Sequence, residues 1–216
     1  DWPEAISVYL ALNTDKLVDR SSMQCIWICT NAEKASGSFG RFALPMTWDH
    51  AEIMPWSESA GGFSGNLEHV AQCIQHTLAA ATEAVPHAVR SSATKALNGK
   101  LDIVVTDPPY YDAIPYSDLM DFFYVWLRRI LSGLSLELDS AFCEPLSPKW
   151  SHEQNDGELI DDASRHGGDK VKSKTIYEEG MYRAFLACCQ SLNDDGRLVI
   201  VFAHKHPDAW EALASA

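Results

Sequence analysis

The chain has 216 residues, 46% of them hydrophobic, and a formal net charge of −13 at pH 7. That size and composition give one globular domain with a substantial core and exclude a disordered segment. No apolar run approaches the ~20 residues of a membrane helix, no basic-then-apolar leader opens the chain, and the six cysteines include no Cys-x-x-Cys pair, so a reduced, cytoplasmic protein is expected.

Asp1-Trp-Pro-Glu4 reads as a helix start, with an acidic cap and Pro in the first turn. Ile6, Tyr9, Leu10, Asn13 and Leu17 then fall on one helical face. A second segment with Cys25, Ile26 and Cys29 is expected to be helical, its thiols core residues and not metal ligands, because no other ligand lies nearby. Residues 35–66 are loop-rich, punctuated by Gly37, Gly40, Pro45, Pro55, Gly61, Gly62 and Gly65. Phe39, Phe42, Trp48, Trp56 and Phe63 are interleaved there, and lining a groove or packing on a sheet edge are equally open to them. Trp48-Asp-His-Ala-Glu52 is read as packing and surface, not metal. Ala60-Gly-Gly-Phe-Ser-Gly-Asn66 leads into a helix capped by Asn66, with a stripe at Leu67, Val70, Ala71, Ile74, Leu78 and Ala81. Pro86 ends it, His87–Arg90 makes a short strand, and Ser91-Ser-Ala-Thr94 is loop.

Leu101-Asp-Ile-Val-Val-Thr106 follows, a β-branched run expected to be a strand buried on both faces. It stops at Asp107, because Pro108 and Pro109 lack the N–H a ladder needs. An acid, two rigid residues and Tyr110 are thus presented at a strand's carboxyl end, where open α/β sheets bind ligands. This suits work on an exocyclic base amine, a poor nucleophile whose lone pair is delocalised into the ring. Asp107 and the Pro108 carbonyl can accept its two protons, held in place by the prolines. Tyr110 can stack on a base taken out of its duplex.

Ser117 to Leu131 is the clearest helix, with a stripe at Leu119, Phe122, Phe123, Trp126, Leu127 and Ile130 expected to anchor the Asp107 loop to the sheet. Residues 132–174 lose periodicity and read as an inserted loop, either a mobile lid or target-reading element or a disordered, solvated loop. Thr175-Ile-Tyr-Glu178 is a capping box opening a helix that buries Tyr177, Met181, Ala184, Phe185, Cys188 and Leu192. After Asn193-Asp-Asp-Gly196 an apolar strand runs to Phe202. His204 and Lys205 then sit beside Asp107 if the two strands are neighbours, and a last helix runs from Asp208.

Asp107-Pro-Pro-Tyr110 after an apolar strand resembles the catalytic motif of the adenine-N6 and cytosine-N4 DNA amino-methyltransferases. Together with Phe39–Asp49, Tyr111-Asp112, Asp121–Arg128 and Phe202-Ala-His-Lys205, it is similar to one subgroup over most of the chain from about residue 48. That subgroup is the large predicted adenine-specific methylases with a domain of unknown function, associated with restriction-modification and phage defence. The resemblance implies an α/β class I S-adenosylmethionine-dependent methyltransferase (Rossmann-like) fold, DNA as partner and S-adenosyl-L-methionine as cofactor. It gives Asp107, Pro108, Pro109 and Tyr110 catalytic places, Ser92 and Ala93 cofactor contacts, and Tyr111, His204 and Lys205 the substrate edge. The Gly-rich cofactor turn of this group, Phe-x-Gly-x-Gly after the first strand, is missing, since Ala60–Asn66 has the wrong spacing and no strand before it. The expectation is that residues 1–216 are the carboxyl-terminal portion of the methyltransferase domain, incomplete here, with the turn upstream in the same polypeptide, so that this fragment alone binds the cofactor weakly or not at all and is inactive. Two rivals stand: a methyltransferase acting on RNA or a protein amide, and a non-catalytic interaction module of a defence complex. The acidity counts against DNA, because phosphate-gripping proteins show a basic face.

Overall fold

The computed structural model describes residues 2–30, 33–40, 46–58, 61–84, 86–111, 114–147, 149–151, 153–205 and 207–215. Phe42, Pro45, Ala60 and Asp112, singled out above, and the Asp1 cap lie outside them. The chain divides into two compact units, residues 1–87 with 119–147 and residues 88–118 with 148–216.

The first unit opens with helix α1 (Trp2–Asp19). Its buried positions are Ala11, Asn13 and Asp15, while Ile6, Tyr9 and Leu10 of the expected face are exposed. Helical spacing identifies a stripe but not what covers it: small Ala11 admits Leu127 and Leu131, and Asn13 donates to the Phe63 carbonyl at 3.4 Å. The Cys25 segment is not helical. Ser22 closes a turn to Cys25 and Gln24, and strand β1 (Trp27–Ile28) pairs antiparallel with β2 (Lys34–Ala35). Bulky Ile26, Trp27 and Ile28 prefer that extended state. Cys25 is buried and Cys29 exposed.

Helix α2 (Phe63–Ala79) starts one turn before the expected cap. Gly62 precedes it, and Asn66 lies buried inside the first turn, donating to the Gly61 carbonyl at 3.2 Å. Of its expected stripe, Leu67 and Leu78 are exposed. Helix α3 (Tyr116–Leu131) forms as read, and short α4 (Leu136–Ala141) follows, capped by the Ser135 hydroxyl. Leu127 and Leu131 cluster with Ala11, flanked by Val8, Leu138 and Phe142. Of the expected stripe, Leu127 is buried in this core and Leu119, Phe122 and Phe123 are half-buried, while Trp126 and Ile130 are exposed. Phe39 packs edge-on against Phe122 at 5.1 Å, so that aromatic is packing material.

The second unit is built on two parallel strands, β3 (Leu101–Thr106) and β6 (Leu192–Ile200). The register runs Ile103↔Arg197 to Thr106↔Ile200, after an irregularity that absorbs Asn193–Gly196. Burial on both faces is not found: Ile103 is 60% and Val105 66% exposed, so one face of the pair is open. His87–Arg90 is extended and exposed but forms no strand.

The described residues 149–151 and 153–169 are organised and not an aperiodic loop. Strand β4 (Trp150–Ser151) pairs with β5 (Asp156–Gly157), and a 3-10 turn (Ala163–His166) follows, capped by Asp162. Helix α5 (Lys170–Ser191) starts earlier than the expected capping box, because Asp169 accepts from the Lys172 N–H. Thr175 is inside it, its hydroxyl bonded back to Val171 O. Tyr177 and Met181 form the core with Tyr111, Leu159, Phe185 and Leu213, the last on α6 (Pro207–Ser215).

Candidate active site

The ladder between β3 and β6 ends where the two prolines begin. The Thr106 carbonyl accepts from Val201 N–H at 2.8 Å, and Pro108 and Pro109 have no hydrogen to continue it. Asp107 is left exposed at the strand end, while Pro108 is buried. Beyond them the chain reverses. Tyr111 N–H donates to Pro109 O at 3.0 Å, and Tyr111 adopts φ 56°, a left-handed conformation costly for a bulky residue. Two neighbours hold it there. The hydroxyl of buried Tyr177 donates to the same Pro109 carbonyl at 2.8 Å, and Asp161 N–H donates to Tyr111 O at 3.2 Å. The Tyr111 and Tyr177 rings meet edge to face at 5.2 Å.

Tyr110 is placed by its ring, which lies edge-on to Phe202 at 5.6 Å, and the neighbouring Asp107 carboxylate keeps its phenol above the ordinary value. Phe202 in turn meets Trp210 at 5.0 Å, and Trp210 Nε1–H donates to His204 O at 2.9 Å. The His204 ring faces Tyr111 at 6.2 Å. Parallel pairing of β3 with β6 thus brings His204 beside the Asp107 turn, while Lys205 is exposed at the segment's end.

The turn opens on a cavity of about 510 Å³ lined by Asp107, Pro108, Tyr110, Glu158, Met181 and Phe185, among others. Burial against this wall raises the Cys188 thiol above its usual value. A second cavity of about 490 Å³ is lined by Arg90, Ser92, Lys95 and Asp156. The two share Ala93, Gly157 and Leu159, so Ser92 and Ala93 border the same cleft as Asp107. Ser92 Oγ donates to Asp156 Oδ1 at 2.9 Å and sits 2.9 Å from Thr94 Oγ1.

The segment for which a lid, a target-reading element and a solvated loop were all open supplies part of the cavity wall, at Gly157, Glu158 and Leu159. Glu158 accepts from Ser117 N–H at 3.1 Å, its Oγ at 2.5 Å and Arg165 Nη1 at 2.7 Å, capping the start of α3. Arg165 also reaches Asp118 at 3.1 Å and Asp162 at 3.6 Å. Gly157 has φ 151°, and a Cβ there would strike the Lys149 carbonyl and lie 2.7 Å from Trp150 Cα. Leu159 seats its side chain against Gly180 of α5.

Sequence pattern does not point to Asp156, Glu158 or Leu159, which lie where periodicity fails. Tyr177 is visible only as one of several apolar positions on a helix. Among the described residues, no cluster of three or more His, Cys, Asp or Glu could hold a metal ion, and no helix is long and apolar enough to cross a membrane. Comparison with protein-family models, with curated proteins and with solved structures finds no match.

Proposed function

We propose that the second unit belongs to a class I methyltransferase and methylates an exocyclic amine of a nucleobase, adenine N6 in DNA first among the candidates. The observation that carries this reading is Asp107-Pro108 at the carboxyl end of a parallel strand, opening on a cavity of about 510 Å³. The Asp107 carboxylate accepts one amine proton and the Pro108 carbonyl the other, so the nitrogen lone pair leaves conjugation and is directed away from both. A carboxylate has about four acceptor positions, so Asp107 has room for the amine beside the neighbouring Tyr110. The proton held by Asp107 is the one released.

The Gly-rich turn apart, the residues present fit S-adenosyl-L-methionine. Ser92, Thr94 and Asp156 offer hydroxyl and carboxylate groups suited to a nucleoside, and Met181, Ala184 and Phe185 give an apolar wall nearer Asp107. When bound, that cofactor supplies an electrophilic methyl group. The chain's own part is to orient the acceptor and to screen it from water.

The net charge of −13 supports keeping RNA or a protein amide as the second reading. Tritiated S-adenosylmethionine offered with unmethylated duplex DNA, RNA and a glutamine-containing peptide in parallel, to a polypeptide in which the Gly-rich cofactor turn is present together with residues 1–216, tests the choice. Label in DNA at the adenine amine is expected. Label only in RNA or peptide selects the rival, and label in none favours a non-catalytic interaction module.

A further inference from the structure

The two acceptors assigned to the substrate amine differ in how they are held. Asp107 carries its acceptors on a side chain with its own rotamers, but the Pro108 carbonyl can be aimed only through its own backbone. Between the Pro108 and Pro109 carbonyls lie two soft dihedrals, φ and ψ of Pro109. The pyrrolidine ring fixes φ near −65°, leaving ψ alone. That angle is fixed by whatever holds the Pro109 carbonyl. Two donors do so: the Tyr111 N–H at 3.0 Å and the Tyr177 hydroxyl at 2.8 Å. A carbonyl oxygen has two lone pairs, so both are used.

The Tyr111 N–H belongs to the turn itself and moves with it. Tyr177 does not, since it is fully buried on the 22-residue helix α5, with Met181 beside it. The same helix steadies the far side of the turn. Ser173 donates to Asp161 Oδ1 at 2.5 Å, and Asp161 N–H holds the Tyr111 carbonyl. The turn is thereby referred to a rigid element at both ends.

We infer that Tyr177 is a positioning residue for methyl transfer: its hydroxyl holds the Pro109 carbonyl and, through the locked Pro109 ring, aims the Pro108 carbonyl at the substrate amine. This rests on the methyltransferase reading above. Tyr177 touches no substrate atom in this arrangement, so its loss acts on orientation and not on binding.

The test is Tyr177→Phe, which keeps the ring and removes the donor. Using a polypeptide in which the Gly-rich cofactor turn is present together with residues 1–216, and with tritiated S-adenosylmethionine and unmethylated duplex DNA, kcat is expected to fall about fivefold to tenfold with both KM values unchanged. Amide hydrogen exchange, read by NMR without substrate, is expected to quicken about tenfold at Tyr111 and Asp161. Parental kcat with parental exchange overturns the inference, as does a loss confined to KM. Asp107→Ala separates the two layers. If the parent transfers no methyl, or Asp107→Ala matches it, the methyltransferase reading fails. Exchange at Tyr111 then still decides whether Tyr177 holds the turn, and no change there refutes it. Should Tyr177→Phe not fold, Pro109→Ala frees φ at the same link and is expected to lower kcat likewise; a parental kcat in that variant overturns the inference.

Discussion

Replacing Arg165 by Met tests whether the segment between β4 and α5 is a fixed wall of the cleft. Arg165 and Glu158 side chains are each 13% exposed and 2.7 Å apart. Asp118 and Asp162, at 3.1 and 3.6 Å, are 39% and 30% exposed. Removing one partner of a well-buried pair costs about 3–5 kcal/mol, whereas exposed pairs are worth about 0–1 kcal/mol. Arg165→Met leaves Glu158 and two further carboxylates facing one another, so a loss of about 2–4 kcal/mol is expected. For a chain of this size that lowers Tm by roughly 5–15 °C. Arg165→Lys keeps the charge but not the fork and recovers only part of the loss. The assay is thermal denaturation by circular dichroism for parent and both variants. An Arg165→Met protein melting within a degree or so of the parent would show that the carboxylate cluster does not hold the wall in place.

Three further outcomes follow from the geometry. Asp15, 6% exposed and with Oδ1 unpartnered, has its carboxyl pushed up to about 6 by burial. A raised folded value means this group's contribution to stability is full below about pH 3.8 and lost as pH rises through about 6. Asp15→Asn should therefore raise Tm at pH 7, by at most about 3 kcal/mol of stability, with the gain gone near pH 3.5; a gain independent of pH contradicts the burial argument. Gly157→Ala should cost about 1–3 kcal/mol in urea denaturation, because its φ is unfavourable and its Cβ meets the β4 backbone. Tyr110→Ala should raise KM for DNA about tenfold or more with a smaller change in kcat, the mark of lost stacking; an unchanged KM removes that role.

The sequence was most informative where covalent chemistry forces the outcome. Two prolines must end a ladder, so the position of Asp107 at a strand end was readable from four residues. The β3 and β6 segments were also readable as strands, since β-branched runs admit little else. Their pairing was not, because adjacency depends on tertiary contacts, and neither was the open face carrying Ile103 and Val105. The Cys25 segment was misread for a related reason: Cys, Ile and Trp at short spacing fit a helix or a strand, and the partner at Lys34–Ala35 decides. The wall at Gly157–Leu159 was illegible because it is held by charge pairing to Arg165, and ion pairs leave no periodic trace. The role of Tyr177 was hidden by its ring, which reads as core, while its hydroxyl does the holding.

The central claim is tested most directly by Asp107→Ala in a polypeptide in which the Gly-rich cofactor turn is present, in the methyl-transfer assay with labelled S-adenosylmethionine and unmethylated duplex DNA. Asp107 is exposed at a strand end, so the variant should fold, which circular dichroism checks. Losing one of two preorganised acceptors should lower kcat by about 10²–10³. A folded Asp107→Ala protein that methylates DNA at the parental rate would contradict the account, leaving Asp107-Pro-Pro-Tyr110 as a strand terminator and nothing more.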